Sequence, residues 1–336
     1  MTEALAHGPA GQADARFAEL VAPHRAGLLA HCYRMTGSLH DAEDALQETL
    51  LRAWQSFDRF EGRSSLRTWL FTIATNAARR QLERQARRVM PVDLGPPAGL
   101  GDDIGPPLVD TAWISPFPTY GMEDVDATPA GRYENKEAVE LAFVAALQHL
   151  PRRQRAVLLL RDVLSFSAQE TADAMDSTTA SVNSALQRAH RTMAERLPER
   201  SQQATLRSLG DAEVRAVVER LVDAWERHDV EALVAVLTDD VELAMPPMAE
   251  WFRGRSEVEA FLRLRPLSPA TERWRVVPVE ANGQPACLFY LREDGRWLAH
   301  SLDVLTLRGT QVSAFTAFLD PAVCAAFGPA ELLPRS

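Results

Sequence analysis

The sequence predicts a multidomain chain in which two all-α modules precede one α+β domain. Three observations support this fold class. Apolar residues recur every three or four positions over 14–88 and again over 135–198, which is typical of amphipathic helices. Prolines crowd residues 89–134, so this stretch is a linker rather than a domain. From residue 211, a short helical pattern gives way to alternating segments that are typical of strands.

The composition narrows the class of protein. The chain has 336 residues, a net charge of −10 and 46% apolar residues, which suits two or three domains with their own cores. No apolar run reaches the roughly 18 residues of a membrane-spanning helix, and the N-terminus lacks a signal-peptide pattern. The three cysteines, Cys32, Cys287 and Cys324, are far apart and form no CxxC pair. We therefore expect a cytoplasmic protein without a metal or other cofactor.

Two helix starts are marked in the first module. Ser38 precedes the acidic turn of HDAEDALQETLLRAW, and either Ser64 or Ser65 precedes the helix of FEGRSSLRTWLFTIATNAARR. Leu51 and Trp54 belong to the apolar repeat of the first of these helices. The sequence therefore predicts two consecutive amphipathic helices with polar caps.

Positive charge is concentrated at the end of this module, although the whole chain is acidic. Residues 63–88 hold seven arginines, one glutamate and no lysine. The last four of these arginines are closely spaced, so we predict that they share one helix face. They are Arg80, Arg84, Arg87 and Arg88. Trp69 lies among apolar positions of the same helix, which favours a core position over a surface for base stacking.

The second module contains a helix-turn-helix pattern at residues 165–197. Ser167 and Glu170 form a capping box at the start of one helix, and Ser177 is the predicted N-cap of the next. The second helix carries hydroxyl, amide and guanidinium groups, which suit base edges and phosphates. An ordinary helical hairpin with a solvated polar face fits the same pattern.

The helix before this pattern favours DNA binding. Pro151 suits its first turn. Its arginines, Arg152, Arg153 and Arg155, are expected to form a basic shoulder beside the polar helix.

These motifs, in this order, resemble bacterial RNA polymerase sigma factors of the extracytoplasmic-function type. HDAEDALQETLLRAW and FEGRSSLRTWLFTIATNAARR are similar to sigma region 2, and LQHLPRRQRAVLLLRDVLSFSAQETADAMDSTTASVNSALQRAHR is similar to region 4. MPPMAEWFRGRSEVEAFL and TAFLDPAVCAAFG resemble a SnoaL-like domain with the nuclear-transport-factor-2 (NTF2) fold. The resemblance implies a region 2 helical bundle at 14–88, the proline-rich linker at 89–134, a region 4 helix-turn-helix at 135–198 and an NTF2-like cone at 211–330.

The resemblance also implies partners and sites. A sigma factor of this type binds core RNA polymerase and directs promoter-specific transcription initiation through −10 and −35 elements. The acidic helix would dock on the β′ clamp helices, and the alternative is a solvated helix face. The docking residues would be Asp41, Glu43, Asp44, Gln47 and Glu48. The first helices of region 4 would dock on the β flap.

Two sets of DNA contacts follow from the same resemblance. The expected −10 contacts are Phe57, Arg59, Phe60, Arg63, Asn76, Arg79, Arg80, Arg84, Arg87 and Arg88. The loop at 55–65 is the expected place for a flipped base. The expected −35 contacts are Thr178, Thr179, Ser181, Asn183, Ser184, Gln187, Arg188 and Arg191. Many family members carry an aspartate where this chain has Arg80.

The C-terminal domain has a different charge balance. Residues 211–336 hold 13 arginines against 20 acidic residues, so we do not expect a third DNA-binding surface. The candidate pocket residues are Trp251, Tyr290, His300 and Asp303. In a regular strand His300 and Asp303 face opposite sides, so we predict that they do not line one pocket, and we expect no enzyme. Instead, this domain would regulate the sigma regions by packing on them or on the linker, or by binding a small apolar ligand.

The linker itself is unusually aromatic. TAWISPFPTYG, residues 111–121, contains Trp113, Phe117 and Tyr120, which fits a docking segment for an interdomain surface and equally well a loosely packed loop. Its length would let the domains rearrange between free and polymerase-bound forms.

Two other functions fit part of the sequence: a stand-alone helix-turn-helix regulator, and an NTF2-fold enzyme with a DNA-binding appendage. A regulator needs no acidic docking helix, and an enzyme needs acid, base and oxyanion groups that we do not find in the sequence.

Overall fold

The computed structural model describes residues 9–99, 104–119, 138–269 and 273–332. The contacts between these residues divide the chain into two compact units. The helical unit comprises residues 9–85 and 150–195, and the sheet unit comprises the other described residues.

The helices of both units follow one another along the chain. In chain order they are α1 (Pro9–Val21), α2 (Arg25–Thr36), α3 (Leu39–Ser56), α4 (Leu66–Leu82), α5 (Leu141–Gln148), α6 (Arg152–Leu158), α7 (Ala168–Ala174), α8 (Thr179–Ala194), α9 (Gln202–Leu209), α10 (Asp211–Glu226), α11 (Val230–Ala235), α12 (Arg255–Leu264) and α13 (Pro321–Ala325). A π-helical turn, Leu159–Val163, follows α6, and short 3-10 turns lie at Ala22–His24, Phe57–Arg59 and Pro91–Asp93. None of the described helices combines the length and the apolar character that crossing a membrane requires.

The first part of the helical unit is a bundle of α2, α3 and α4. The Ser38 hydroxyl caps α3 by accepting a hydrogen bond from the Asp41 amide at 3.3 Å, as predicted. Ser65, rather than Ser64, caps α4 by accepting from the Thr68 amide at 3.0 Å. The bundle core contains Leu28, Met35, Leu46, Leu70 and Ala74.

The second part of the helical unit contains the predicted helix-turn-helix, formed by α7 and α8. The capping box is confirmed: the Glu170 amide donates to the Ser167 hydroxyl at 3.1 Å, and the Ser167 amide donates to the Glu170 carboxylate at 2.8 Å. Asp176 turns the chain between the helices with φ of 48°, a left-handed conformation that Asp tolerates. These local contacts define where α7 begins and how the chain turns from α7 into α8.

The predicted N-cap of α8 was wrong by one residue. Thr178, not Ser177, has the extended backbone of an N-cap, and its hydroxyl accepts a hydrogen bond from the Ser181 amide at 3.2 Å. The Ser177 hydroxyl instead accepts from the Arg153 guanidinium at 2.5 Å. Of the two adjacent hydroxyl groups, Thr178 therefore caps the helix and Ser177 binds a residue outside the turn.

The sheet unit contains a curved sheet of seven strands among the described residues. The strands are β1 (Leu237–Ala244), β2 (Trp251–Arg253), β3 (Trp274–Ala281), β4 (Gln284–Glu293), β5 (Arg296–Arg308), β6 (Gln311–Phe318) and β7 (Glu331–Leu332). Their order is β2-β1-β6-β5-β4-β3, with β7 paired to β5. Only β1 and β6 pair in parallel, and the other pairs described are antiparallel.

The turns and the core of the sheet unit confirm the α+β prediction. Asp294 and Gly295 connect β4 to β5 with φ of 48° and 80°, the conformation of a tight hairpin turn, and Gly309 opens the next hairpin with φ of 58°. Helices α10, α11 and α12 contribute to the sheet's apolar core. This core includes Leu221, Trp225, Trp274, Phe289 and Phe315.

The described parts of the proline-rich stretch belong to the sheet unit and pack on it. The amide of Ala98 donates to the Trp251 carbonyl at 2.7 Å. Phe117 is only 1% exposed and exchanges two hydrogen bonds with Asn282, at 2.9 Å and 2.8 Å. Trp113 is half-buried, whereas Tyr120 lies outside the described residues. The segment is therefore docked rather than loose, and the domain boundaries drawn from the sequence remain predictions.

Candidate nucleic-acid and polymerase interfaces

The outer face of α3 carries most of the predicted acidic docking set. Glu43, Asp44 and Gln47 are exposed. Glu48 is half-buried and forms an ion pair with Arg52, one turn further along. These four side chains are accessible, at least in part, to a partner.

Asp41 does not belong to this surface, so its prediction as a docking residue is corrected. It is 5% exposed, and its carboxylate accepts hydrogen bonds from the Gln81 and Gln85 amides at 3.3 Å and 3.1 Å. Both donors lie at or just after the end of α4. Asp41 therefore ties the start of α3 to the end of α4, and its charge is already satisfied within the bundle.

Two exposed apolar residues extend the acidic surface, and the sequence analysis did not predict their exposure. Leu51 is 50% exposed and Trp54 is 51% exposed, although both fit the apolar repeat. They follow Asp44 and Gln47 at intervals of three and four residues, so the four share one helix face. We call this face the α3 stripe. The same spacing, read from Asp44 instead of Leu46, would have found it.

A cleft of about 480 Å³ lies between α3 and α4 in the helical unit. Arg59, Asn76 and Arg80, three of the predicted −10 contacts, meet in this cleft. The other lining residues are Arg52, Gln55, Ser56 and Ile73. Its donors are therefore mostly guanidinium and amide groups, which suit phosphate oxygens and base edges.

The predicted aromatic residues of the 55–65 loop contact other rings. The Phe57 ring lies 5.3 Å from that of Phe17, and the Phe60 ring lies 4.9 Å from that of Trp69. Trp69 is half-buried, so it lies at the edge of the bundle and not deep in its core. Arg63 forms an exposed ion pair with Glu61 at 2.9 Å.

Arg79 does not line the cleft, although it contacts one residue that does. Its guanidinium contacts the Asn76 side-chain oxygen at 3.3 Å and the Met175 sulfur at 3.9 Å. Arg79 is half-buried within the helical unit, so its role as a DNA contact remains a prediction.

The predicted arginine face is wrong, because α4 ends at Leu82. Arg80 and Arg84 are exposed in the helical unit. Arg87 and Arg88 lie in extended chain of the sheet unit, where they hydrogen-bond to the His149 ring at 2.6 Å and the Trp113 carbonyl at 2.7 Å. The residues that follow pair with the linker, beginning with the Val89 amide and the Ala112 carbonyl at 2.9 Å. This tertiary pairing overrides the helical spacing.

The outer face of α8 presents the predicted −35 set. Val182, Ala185 and Ala189 face the core of the helical unit. Thr179 and Ser181 are half-buried. The exposed members are Thr178, Asn183, Ser184, Gln187, Arg188 and Arg191.

The basic shoulder beside α8 is smaller than predicted. Arg153 is exposed and donates to the Ser181 hydroxyl at 3.1 Å, and Arg152 is also exposed. Arg155 is buried and donates to the carbonyl oxygens of Met35 and Leu150. Because Arg155 is only 4% exposed and its guanidinium is bound to these carbonyls, this residue joins helices instead of presenting charge to DNA. Burial also lowers its pKa to about 10.

The sheet unit encloses a cavity of about 340 Å³. Its wall is mainly apolar and includes Trp225, Phe261, Trp274 and Phe315. Two of the four predicted pocket residues, Trp251 and Tyr290, do not line it. The Trp251 indole instead donates to the Gly95 carbonyl at 2.9 Å, and the Tyr290 hydroxyl donates to the Pro329 carbonyl at 3.0 Å.

His300 and Asp303 both line this cavity, contrary to the prediction. Ser301 pairs with Phe289 across β4 and β5, whereas Ala299 pairs with Tyr290. His300 is therefore an extra residue, and such a bulge breaks the alternation of side chains along a strand. The bulge brings a histidine onto the same face as an aspartate three residues later.

Asp303, at the polar end of the cavity, is only 4% exposed. Burial raises the pKa of Asp303 to about 7, and the hydrogen bond from the Ser301 hydroxyl at 2.7 Å only partly opposes this shift. Burial also lowers the pKa of His300, although Glu293 acts in the opposite direction. Both side chains are therefore driven towards their neutral forms. Across the described ranges, no group of three His, Cys, Asp or Glu side chains is placed to hold a metal ion.

Family models match three consecutive stretches of the chain. Sigma-70 region 2 matches residues 20–88, Sigma-70 region 4 matches residues 140–193, and a SnoaL-like domain matches residues 218–318. The first two stretches hold the α3 stripe, the cleft and the exposed face of α8, and the third holds the cavity.

Similar proteins agree with these matches. The ECF RNA polymerase sigma factor SigG of Mycobacterium tuberculosis is 41% identical over 323 residues, which cover 95% of this chain and 85% of that protein. The ECF RNA polymerase sigma-E factor of Haemophilus influenzae is 31% identical over 152 residues, which cover 45% of this chain and 72% of that protein. The crystal structure of the M. tuberculosis extracytoplasmic function sigma factor SigJ has the same fold, with a TM-score of 0.56, 21% identity and coverage of 93% of this chain and 99% of that chain.

Proposed function

The chain belongs to the extracytoplasmic-function sigma factors of RNA polymerase, and we propose that it directs initiation at promoters through −10 and −35 elements. The exposure pattern of α8 is the observation that carries this proposal. One face of α8 is buried, whereas the opposite face presents hydroxyl, amide and guanidinium groups. Such a face suits the major groove, with base contacts towards the N-terminal end and phosphate contacts at Arg188 and Arg191.

The −10 element would be bound at the cleft between α3 and α4. A base that leaves the DNA stack needs a recess with hydrogen-bond groups, and Asn76 supplies an amide there. Arg59 and Arg80 supply positive charge for the adjoining phosphates. The acidic charge of the rest of the chain would weaken binding to DNA in general, so the local arginines restrict attraction to this region.

Core RNA polymerase would bind the α3 stripe. Its acidic half, with Asp44 and neighbouring Glu43, suits a basic partner surface and would set the orientation of docking. Its apolar half, Leu51 and Trp54, would supply buried area at the centre of the contact. We propose the β′ clamp helices as the partner of this stripe and the β flap as the partner of the helices before α8.

The chain is a transcription factor, and we propose that its SnoaL-like domain regulates it without acting as an enzyme. Support comes from the linker, whose described residues are docked on the sheet unit through buried side chains such as Phe117. Release or retention of this segment would change how far the DNA-binding helices can separate. We further propose that the protein acts in the cytoplasm, together with core polymerase.

Run-off transcription with purified core polymerase tests this proposal. Promoters would first be selected from a random DNA library by the full-length protein and core polymerase. We expect the double variant Gln187→Ala, Arg188→Ala to lose specific initiation. The matched control Gln169→Ala changes an exposed polar residue of α7 outside the predicted contact set, and it should retain initiation. Failure of the unmodified protein to initiate with core polymerase on any selected DNA would refute the proposal.

A further inference from the structure

The imidazole of His149 joins three segments of the sheet unit that are separate in sequence. It lies at the C-terminal end of α5, and its side chain is only 11% exposed. Its Nδ1 lies 2.6 Å from the Arg87 guanidinium, and its Nε2 lies 3.0 Å from the Asp93 carboxylate. The Arg196 guanidinium approaches Nε2 at 3.4 Å. One ring therefore contacts two guanidinium groups and one carboxylate.

The contact with Arg87 requires a neutral imidazole. A guanidinium group only donates hydrogen bonds, so Nδ1 has to accept from Arg87 with its lone pair. The ring proton then lies on Nε2, where it is donated to Asp93. A protonated ring would present an N–H group at Nδ1 as well. The hydrogen bond to Arg87 would then be lost, and two cations would face each other.

The surroundings of His149 keep the ring neutral at neutral pH. Burial lowers its pKa below the ordinary value of 6.5, and Arg196 and Arg87 act in the same direction. Asp93 opposes them, as does the negative end of α5. These are the charged groups that face the ring from the described segments around it. The contact with Arg87 is therefore present above pH 6.5 and is lost as the pH falls through the lowered pKa.

Protonation changes what this cluster presents to a partner. With a neutral ring, Arg87, Arg196 and Asp93 sum to one positive charge, and Arg87 is held by His149. With a charged ring the sum is two positive charges, and Arg87 loses its acceptor. Arg87 and Arg196 are both exposed, so phosphate oxygens can reach them.

We propose that His149 is a proton-controlled latch: protonation of its ring releases Arg87 and turns the cluster into a contact for the phosphate backbone of DNA. Guanidinium contacts to the backbone carry no base information, so the partner is duplex DNA of any sequence. The latch does not rest on promoter-directed initiation, and DNA of arbitrary sequence tests the two separately.

The salt dependence of DNA binding measures the released charge. Fluorescence anisotropy with the full-length protein and a short duplex of arbitrary sequence would be recorded at several salt concentrations, at pH 7.5 and at pH 5. Acidification should steepen the salt slope of the wild-type protein by about 0.9 more than that of Arg87→Gln, because one further phosphate is neutralised. Equal acid effects in the two proteins would overturn the proposal.

Substitutions of the histidine fix the latch in one state. His149→Gln keeps an uncharged acceptor, so it should lose this additional acid effect. His149→Arg carries a permanent charge and should steepen the slope already at pH 7.5. The matched control His40→Gln changes an 83% exposed side chain outside the predicted DNA contacts, and it should keep the full acid effect. An acid effect that survives His149→Gln would assign the proton to another group and refute the latch.

The pKa of His149 provides a test without DNA. Slow hydrogen exchange at the imidazole C2 position, measured by mass spectrometry of the peptide that contains His149, reports this pKa in the full-length protein. Arg87→Gln should raise it, because a cation beside the ring is removed, and Asp93→Asn should lower it. A pKa that either substitution leaves unchanged or moves the other way would show that these contacts do not control the ring.

Discussion

Replacing Asp303 by asparagine should make the sheet unit less sensitive to pH. The wild-type carboxyl group has a pKa of about 7 in the folded chain, against an ordinary value of 3.8. Between these two values the folded state keeps a proton that the unfolded state releases. Stability is therefore fully present below pH 3.8 and falls as the pH rises towards 7. Asparagine keeps an oxygen for the Ser301 hydroxyl and carries no titrating proton.

The size of this effect follows from the same two pKa values. Each pH unit between them changes the free energy of unfolding by 1.36 kcal/mol, so the wild-type protein should lose about 4 kcal/mol relative to the variant by pH 7 or above. The neighbouring thiols do not titrate in this window, because burial raises the pKa of Cys324 to about 12 and that of Cys287 even further. His300 titrates in both proteins, so it cancels in the difference.

Urea unfolding at several pH values measures the difference. After equilibration between pH 4.5 and 8, a hydrogen-exchange pulse at one constant pH would report the unfolded fraction of the peptide at 296–308. The advantage of Asp303→Asn over the wild-type protein should grow with pH and level off above about pH 7. Glu219→Gln, an exposed carboxylate on α10, is the matched control and should show no such growth. An advantage that is independent of pH, or that shrinks as the pH rises, would refute the reasoning.

Three further predictions concern other parts of the chain. Asp41→Ala should lower the free energy of unfolding of the helical unit by about 1–3 kcal/mol in urea titrations, because two half-buried glutamine amides lose their acceptor. Asp44→Ala should change it by less than about 0.5 kcal/mol, and equal effects would contradict the burial of Asp41. Arg188→Ala should reduce the salt slope of promoter binding, measured by fluorescence anisotropy, by about 0.9 if it contacts one phosphate; an unchanged slope would exclude that contact. Asn282→Gly tolerates the backbone φ of 55° but removes the side-chain hydrogen bonds to Phe117 and Val139. Hydrogen exchange of the backbone amides at 111–119 should therefore accelerate at least about tenfold. Unchanged exchange would show that these hydrogen bonds do not hold the linker.

Local sequence signals predicted the elements and their ends well. The capping box of Ser167 and Glu170 and the cap at Ser38 both depend on residues within a few positions of one another. Such signals act through backbone geometry, which is the same in any protein. The fold class and the exposed face of α8 follow from them together with the apolar repeat.

Side chains whose environment is set by distant residues were not predictable in this way. Asp41 is acidic and occurs in an acidic run, yet glutamines some forty residues later bury it. Arg87 continues the spacing of an arginine-rich helix, but pairing between the chain and the linker ends that helix first. His300 enters the cavity because of one inserted residue in β5, and nothing in a strand's alternation indicates where a bulge will fall.

The hydrogen bonds between the linker and the sheet unit limit where this chain can be shortened. A protein that ends near residue 200 would keep Phe117, which is 1% exposed in the whole chain, but would lose Asn282, which exchanges two hydrogen bonds with it. It would also keep Leu141, whose amide donates to Gln284 at 2.9 Å. Such a shortened protein would expose an apolar segment and would therefore tend to aggregate. The linker and the sheet unit therefore have to be kept or removed together when the chain is shortened.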